Sequence, residues 1–276
     1  METEIQSYQT AGFPSEFQTE NYSVVLWKGT GVFSVDEINY SYKGYNILFL
    51  SPYQKLKLVS EADEKVNILL FHGDYYCIEY HKEEVACNGF LFNNIYLNPG
   101  IGLTREDYDY ILEIFARIKQ ENIENHQFSK SIIKTYIQLI LAIGSKQKSN
   151  SINERGIVEK LPVKNAVEFQ KLLELHFKNE KELTFYSDKL NITNNTLSKA
   201  VKKEFGKTPT RLINERIILE SKKLLHLTYR SVKEIASELG FTDEFYFSRY
   251  FKKSVGCSPK NYREKVGISI VAKMSM

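Results

Sequence analysis

Two groups of amide, hydroxyl and charged side chains recur in this chain about fifty residues apart, each spread over ten positions. The first comprises Asn194, Asn195, Ser198, Lys199, Lys202 and Lys203; the second comprises Glu244, Ser248, Arg249, Lys252 and Lys253. These side-chain types suit nucleic-acid chemistry. A guanidinium such as Arg249 can take both acceptors on the edge of guanine, and an amide such as Asn195 can pair with adenine in the same two-pronged way. Lysines near a helix end reach phosphate instead. One charged helix face is usually plain solvated surface, so the argument rests on its duplication.

The groups belong to a longer repeat. Leu190-Asn191-Ile192-Thr193 followed by Leu197 to Pro209 is matched by Leu239-Gly240-Phe241-Thr242 followed by Phe247 to Pro259, with one extra turn residue in the second copy. Two copies are too few for a solenoid. Each reads as a short helix, a tight turn and a second helix with a basic outer face. Val232, Ile235, Ala236 and Leu239 should bury the first helix of copy two, and Gly240 should allow its turn; copy one has Ser187 and Asn191 at the matching positions. Phe247 and Phe251, or Leu197 and Val201, should pin the second helix. Thr208-Pro209 and Ser258-Pro259 place an N-cap before a first-turn proline, and Ser231 with Glu234 forms a capping box. A leading helix from Lys164 to Lys178 should bury Val167, Leu172, Leu173 and Leu175, and a helix from Pro209 to Leu225 should bridge the copies. At about 1.5 Å per residue the bridge spans roughly 25 Å, comparable with one turn of DNA.

Charge follows the same division. Residues 164–265 hold 21 Lys/Arg and 13 Asp/Glu, net +8, against −5 for the rest of a 276-residue chain whose total is +3. That asymmetry fits a basic nucleic-acid module joined to an acidic domain.

The residues from Gly240-Phe241 through Phe247-Ser248-Arg249-Tyr250-Phe251-Lys252-Lys253 to Gly256-Cys257-Ser258-Pro259-Lys260-Asn261-Tyr262-Arg263 resemble the C-terminal motif of AraC/XylS-type transcription regulators. The resemblance covers about residues 160–265. It implies a seven-helix domain that inserts two helices into successive major grooves on one side of double-stranded DNA. The base-facing positions it implies are Asn195, Ser198 and Lys199, then Glu244, Phe245 and Arg249. Glu244 would repel phosphate unless it accepts a cytosine amino proton. Copy one departs from the commoner pattern in Ser187 and in Ala200-Val201, where an aromatic residue is frequent.

The N-terminal region, more loosely, is similar to the cupin-like sensor barrels of that family. Short β-type runs (22–27, 32–35, 40–42, 46–50 and 66–71) lie between turn signals such as Gly29-Thr30-Gly31 and Lys43-Gly44, and residues 1–20 read as irregular or weakly paired. Two helices follow Pro99-Gly100. The first is capped at Thr104 and carries Tyr110, Ile111, Ile114, Phe115 and Ile118; the second carries Phe128, Ile132, Ile133, Tyr136, Ile137, Ile140 and Leu141. That stripe either covers the sheet or forms a dimer face. The expected fold is therefore α+β: an N-terminal antiparallel β cupin-like barrel with helices, then an all-α double helix-turn-helix domain. The expected divisions are a sensor and dimerisation domain over 1–148, a polar linker over 149–162, a DNA-binding domain over 163–266 and a tail over 267–276.

Function follows as an expectation: a sequence-specific transcription regulator, an activator by resemblance, acting by binding and not by catalysis. Its partners would be double-stranded DNA, a small-molecule effector, RNA polymerase and a second copy of the chain, with no cofactor. An architectural DNA binder without sequence preference would share the charge but not the selectivity. The other alternative is a metal- or redox-responsive cupin-like protein or enzyme using His72, Cys77, His81 and Cys87, with the DNA-binding domain as its output. Those four suit zinc by type, but their spacing lacks paired ligand blocks, and no His-x-His occurs. Tyr75, Tyr76 and Tyr80 are either core or cavity lining. Three scattered cysteines, an acidic N-terminus without an apolar stretch and the absence of a membrane-length run point to the cytoplasm.

Overall fold

The computed structural model describes residues 3–73, 75, 91–92, 94–157 and 163–267, with the backbone alone for 153–157. The chain separates into two compact units, Met1–Asn94 with Asn98–Ile157, and Ile95–Leu97 with Val158–Met276.

The first unit is a curled antiparallel sheet backed by two helices. Strands β1 (Thr3–Gln9), β2 (Tyr22–Val35), β3 (Ile38–Leu50), β4 (Leu56–Ser60), β5 (Lys65–Phe71) and β6 (Gly100–Leu103) lie in the order β1-β5-β2-β3-β6, with β4 paired to β2. No pairing among the described residues closes the path into a barrel. Residues 3–9, expected to be irregular or weakly paired, instead pair with β5 along their whole length.

The run Tyr22–Trp27 is buried throughout because both faces of the sheet are covered. Val24 and Leu26 face a core shared with Ile47, Phe49, Leu69 and Phe71, while Val25 and Trp27 face a second core with Leu48, Leu50, Ile68 and Leu70. The two glycine-marked turns expected at 29–31 and 43–44 are absent. β2 and β3 continue through them with unbroken pairing, Gly29 lying opposite Gly44. Six residues of straight strand would separate Trp27 and Phe33 by roughly 20 Å, yet their rings lie 5.5 Å apart. The strand is therefore bent sharply at the glycines, and a Cβ at Gly31 would fall 2.2 Å from the Val59 carbonyl oxygen. The true hairpin turn is Asp36-Glu37, both at positive φ (49° and 70°), as a two-residue turn matching strand twist requires. The Asp36 carboxylate accepts from Lys55 N (3.0 Å) and Gln54 Nε2 (3.1 Å), which fixes a conformation that glycine usually supplies.

Helix α1 (Arg105–Glu124) is capped by Thr104, which accepts from Asp107 N at 3.1 Å, and α2 spans Ser129–Ile157. Ile111, Ile114, Phe115 and Ile118 of α1, with Ile133, Ile137, Ile140 and Leu141 of α2, join the sheet core. The α2 stripe covers the sheet. Tyr110 on α1 (46 % exposed), Phe128 just before α2 (59 %) and Ile132 on α2 (37 %) do not share in the sheet core; the three-and-four spacing of the buried helical positions turns Tyr110 and Ile132 toward solvent. The linker also differs from expectation, since 149–157 continue α2. Gly144 lets the helix approach the sheet: a Cβ there would meet the Phe49 ring at 2.5 Å. Beyond it the sequence is polar yet free of proline, so the helix continues.

The second unit contains seven helices among its described residues: α3 (Lys164–His176), α4 (Leu183–Lys189), α5 (Asn194–Phe205), α6 (Pro209–Leu227), α7 (Val232–Glu238), α8 (Glu244–Val255) and α9 (Pro259–Val266). α3 buries Ala166, Phe169 and Leu173, with Phe177 following at its C-cap. Leu175, expected in that core, is 76 % exposed because it lies two residues out of phase with Leu173. α6 joins the two repeats and buries Leu212, Ile213, Ile217, Leu224 and Leu225.

Candidate nucleic-acid interface

The two copies share their local geometry on either side of a turn that is one residue longer in the second. α4 and α7 end in the same Schellman turn: Asn191 N donates to Asp188 O and Ile192 N to Ser187 O, while Gly240 N donates to Ser237 O and Phe241 N to Ala236 O. The turn residues Asn191 and Gly240 both adopt left-handed φ, 52° and 67°. Ser187 is buried where Ala236 stands in the other copy, and its hydroxyl is satisfied by the Thr184 carbonyl at 2.9 Å. The helices that follow are both 12 residues long. Thr193 caps α5 by accepting from Thr196 N, and Asp243 caps α8 by accepting from Phe245 N and Tyr246 N. Both end at a left-handed glycine, Gly206 or Gly256.

Each helix has one buried face. Leu197 and Val201 in α5, and Phe247 and Phe251 in α8, are fully enclosed. Positions three, four and seven apart fall on one side of a helix, so the outward stripes are Asn195, Ser198, Lys199 and Lys202 on α5, and Phe245, Ser248, Arg249 and Lys252 on α8. Asn195, Lys199, Lys202 and Lys203 are exposed, as are Phe245, Arg249, Lys252 and Lys253; Ser198, Glu244 and Ser248 are half-buried. All eleven sequence-predicted residues thus lie on the two equivalent helices. Tyr246, 54 % exposed on the first turn of α8, was missed by the sequence reading. Its place next to the buried Phe247, out of step with the apolar spacing, was the available signal.

The unit's cations divide into two populations. Lys207 is 9 % exposed and pairs with Glu215 at 2.7 Å; Arg211 pairs with the same carboxylate at 2.9 Å. Arg216 lies between Glu174 (2.8 Å) and Glu220 (3.0 Å), and Lys178 pairs with Glu238 (2.7 Å). These cations hold helices together. Lys199, Lys202, Lys203, Arg249, Lys252 and Lys253 are exposed on the two equivalent helices and enter no such ion pair among the described residues. Their charge is directed at solvent, where a polyanion can meet it.

A protein-family model described as a helix-turn-helix domain matches residues 186–265. The helical unit is a helix-turn-helix domain of the AraC/XylS type. The chain is 27% identical over 157 residues to the HTH-type transcriptional activator RhaS of Escherichia coli (strain SMS-3-5), covering 56% of this chain and 53% of that protein. It thus spans about half the length of the curated relatives it matches. Among solved structures it is similar to the C-terminal domain of the two-component response regulator yesN from Fusobacterium nucleatum (32% identity, 34% of this chain and 93% of that one, TM-score 0.33). It is also similar to apo ToxT from Vibrio cholerae strain SCE256 (17% identity, 97% and 98% coverage, TM-score 0.43).

In the first unit, His72 is half-buried, whereas Cys77, His81 and Cys87 lie outside the described residues. No group of three or more His, Cys, Asp or Glu able to hold a metal occurs among the described residues. Tyr75 is 4 % exposed and belongs to the sheet core, while Tyr76 and Tyr80 lie outside the described residues. Among the described residues no helix is long and apolar enough to cross a membrane.

Proposed function

We propose that this chain is a sequence-specific DNA-binding transcription regulator, an activator, that acts by binding and carries out no catalysis. The observation that carries the reading is the pair of equivalent outward stripes on α5 and α8, each ending in unpaired lysines. In this reading Asn195, Ser198 and Lys199 meet base edges in one major groove, and Glu244, Phe245, Ser248 and Arg249 meet them in the next. Lys202, Lys203, Lys252 and Lys253 neutralise phosphate and make affinity salt-dependent. The sheet unit over residues 1–148 serves as the effector-responsive and dimerising part, and RNA polymerase is the protein partner of the bound complex. The chain then works in the cytoplasm. The similarity to an activator named RhaS supports the regulatory role.

Selection of bound sequences from random duplexes by the full chain tests this reading. The expected result is one enriched site with two informative blocks. Arg249→Ala should cost about 1–3 kcal/mol on that site and relax one position. Enrichment of no sequence, with a steep salt slope alone, would make the protein an unselective architectural binder.

A further inference from the structure

The first turn of α8 exposes two aromatic rings, Phe245 at 73 % and Tyr246 at 54 %, although Phe247 and Phe251 of the same helix are fully buried. Tyr246 leans on Phe241, ring centroids 5.9 Å apart. Phe245 instead projects from the outward stripe, one turn before Arg249 and two before Lys252. Its backbone is held by the Asp243 cap, to which Phe245 N donates at 3.0 Å. Two adjacent exposed rings on an otherwise polar face make an apolar patch suited to an apolar partner. A second copy of this chain is a poor occupant, because Arg249, Lys252 and Lys253 would bring like charges together. In the major groove the apolar substituent that a base edge presents is the C5-methyl of thymine.

We propose that Phe245 reads a thymine methyl group, and that this contact distinguishes the α8 half-site from the α5 half-site, where the matching residue is Asn195. The inference rests on the reading of the helical unit as a DNA-binding domain and names one base within it. Four residues of helix advance about 6 Å, or about two base steps of 3.4 Å. The thymine therefore lies within about two base pairs of the base contacted by Arg249.

The test uses the full chain and the duplex it selects, with each thymine replaced singly by deoxyuridine, which removes only the methyl group. At one position near the Arg249-dependent base, deoxyuridine should weaken wild-type binding about three- to fivefold, the worth of one methyl withdrawn from water. Phe245→Ala should bind the thymine and deoxyuridine duplexes equally, and Phe245→Leu should keep part of the discrimination. A selected site whose thymines are all replaceable, or a penalty that persists in Phe245→Ala, overturns the thymine contact alone. A change in the self-association of Phe245→Ala without DNA assigns the ring to a protein surface and overturns it as well. Failure to select any sequence overturns the underlying DNA reading, and this contact with it.

Discussion

The two helix-turn-helix copies share a backbone but differ in what fills it. In copy two α8 sits in an aromatic network: Phe241 with Phe247 at 5.2 Å and Tyr250 at 5.3 Å, Phe247 with Phe251 at 6.1 Å, and Phe251 with Tyr262 at 5.6 Å. In copy one the pinning residues are aliphatic, Leu197 and Val201, and the aromatic contacts move beneath α4, where Phe169 meets Tyr186 at 5.3 Å. The outward stripes diverge as well: an amide and a lysine on α5 stand where α8 has a phenyl ring and a guanidinium. Burial and turn geometry are thus held constant while the reading chemistry varies. Under the proposed DNA-binding function, one scaffold would address two different half-sites.

The largest expected contrast lies in the cores. Phe251→Ala should cost about 3–5 kcal/mol and dissolve the second reader, whereas Val201→Ala removes far less volume and should cost clearly less. Chemical denaturation of the full chain, followed in both variants, measures the difference; equal losses would break the comparison.

The turns should respond next, and to very different extents. A Cβ at Gly240 would meet the Lys178 carbonyl oxygen at 2.4 Å in a left-handed conformation, so Gly240→Ala should destabilise by about 1–3 kcal/mol. Asn191→Gly places the residue best suited to positive φ in the equivalent turn, and should change stability by only a few tenths of a kcal/mol.

The smallest contrast is at the caps. Ser231 and Glu234 form a complete capping box on α7, while Glu182 at the start of α4 makes no side-chain cap. Ser231→Ala should cost about 1 kcal/mol, and Glu182→Ser should recover part of that amount in copy one. Hydrogen bonds from the Ser231 backbone and hydroxyl lower the Glu234 pKa below its ordinary value. A depressed carboxylate stabilises the fold above its unfolded pKa and loses that contribution as pH falls through the folded value. The gap between wild type and Ser231→Ala should therefore narrow in acid, as thermal melts at pH 7 and pH 3 would show.

The helical unit was legible because its signals are local. Cap residues, prolines at helix starts and the spacing of Phe247 and Phe251 each specify their structure within a few positions, and a second copy repeats them. Leu175 escaped because a run of leucines does not reveal helix phase on its own. In the sheet unit the decisive facts are distant in sequence. Gly29 and Gly31 looked like a turn, yet they bend a strand around the core. The real turn at Asp36-Glu37 lacks glycine and depends on Lys55 and Gln54, nearly twenty residues on. The role of Gly144 was invisible because its partner, Phe49, is almost a hundred residues away.

The measurement that bears most directly on the paired readers is a phosphate-interference footprint of the full chain on its selected duplex. Two protected patches should lie on one face, about 10 base pairs apart, with Lys202→Ala weakening one and Lys252→Ala the other. A single patch, or a pair that fades together in both variants, would contradict that arrangement.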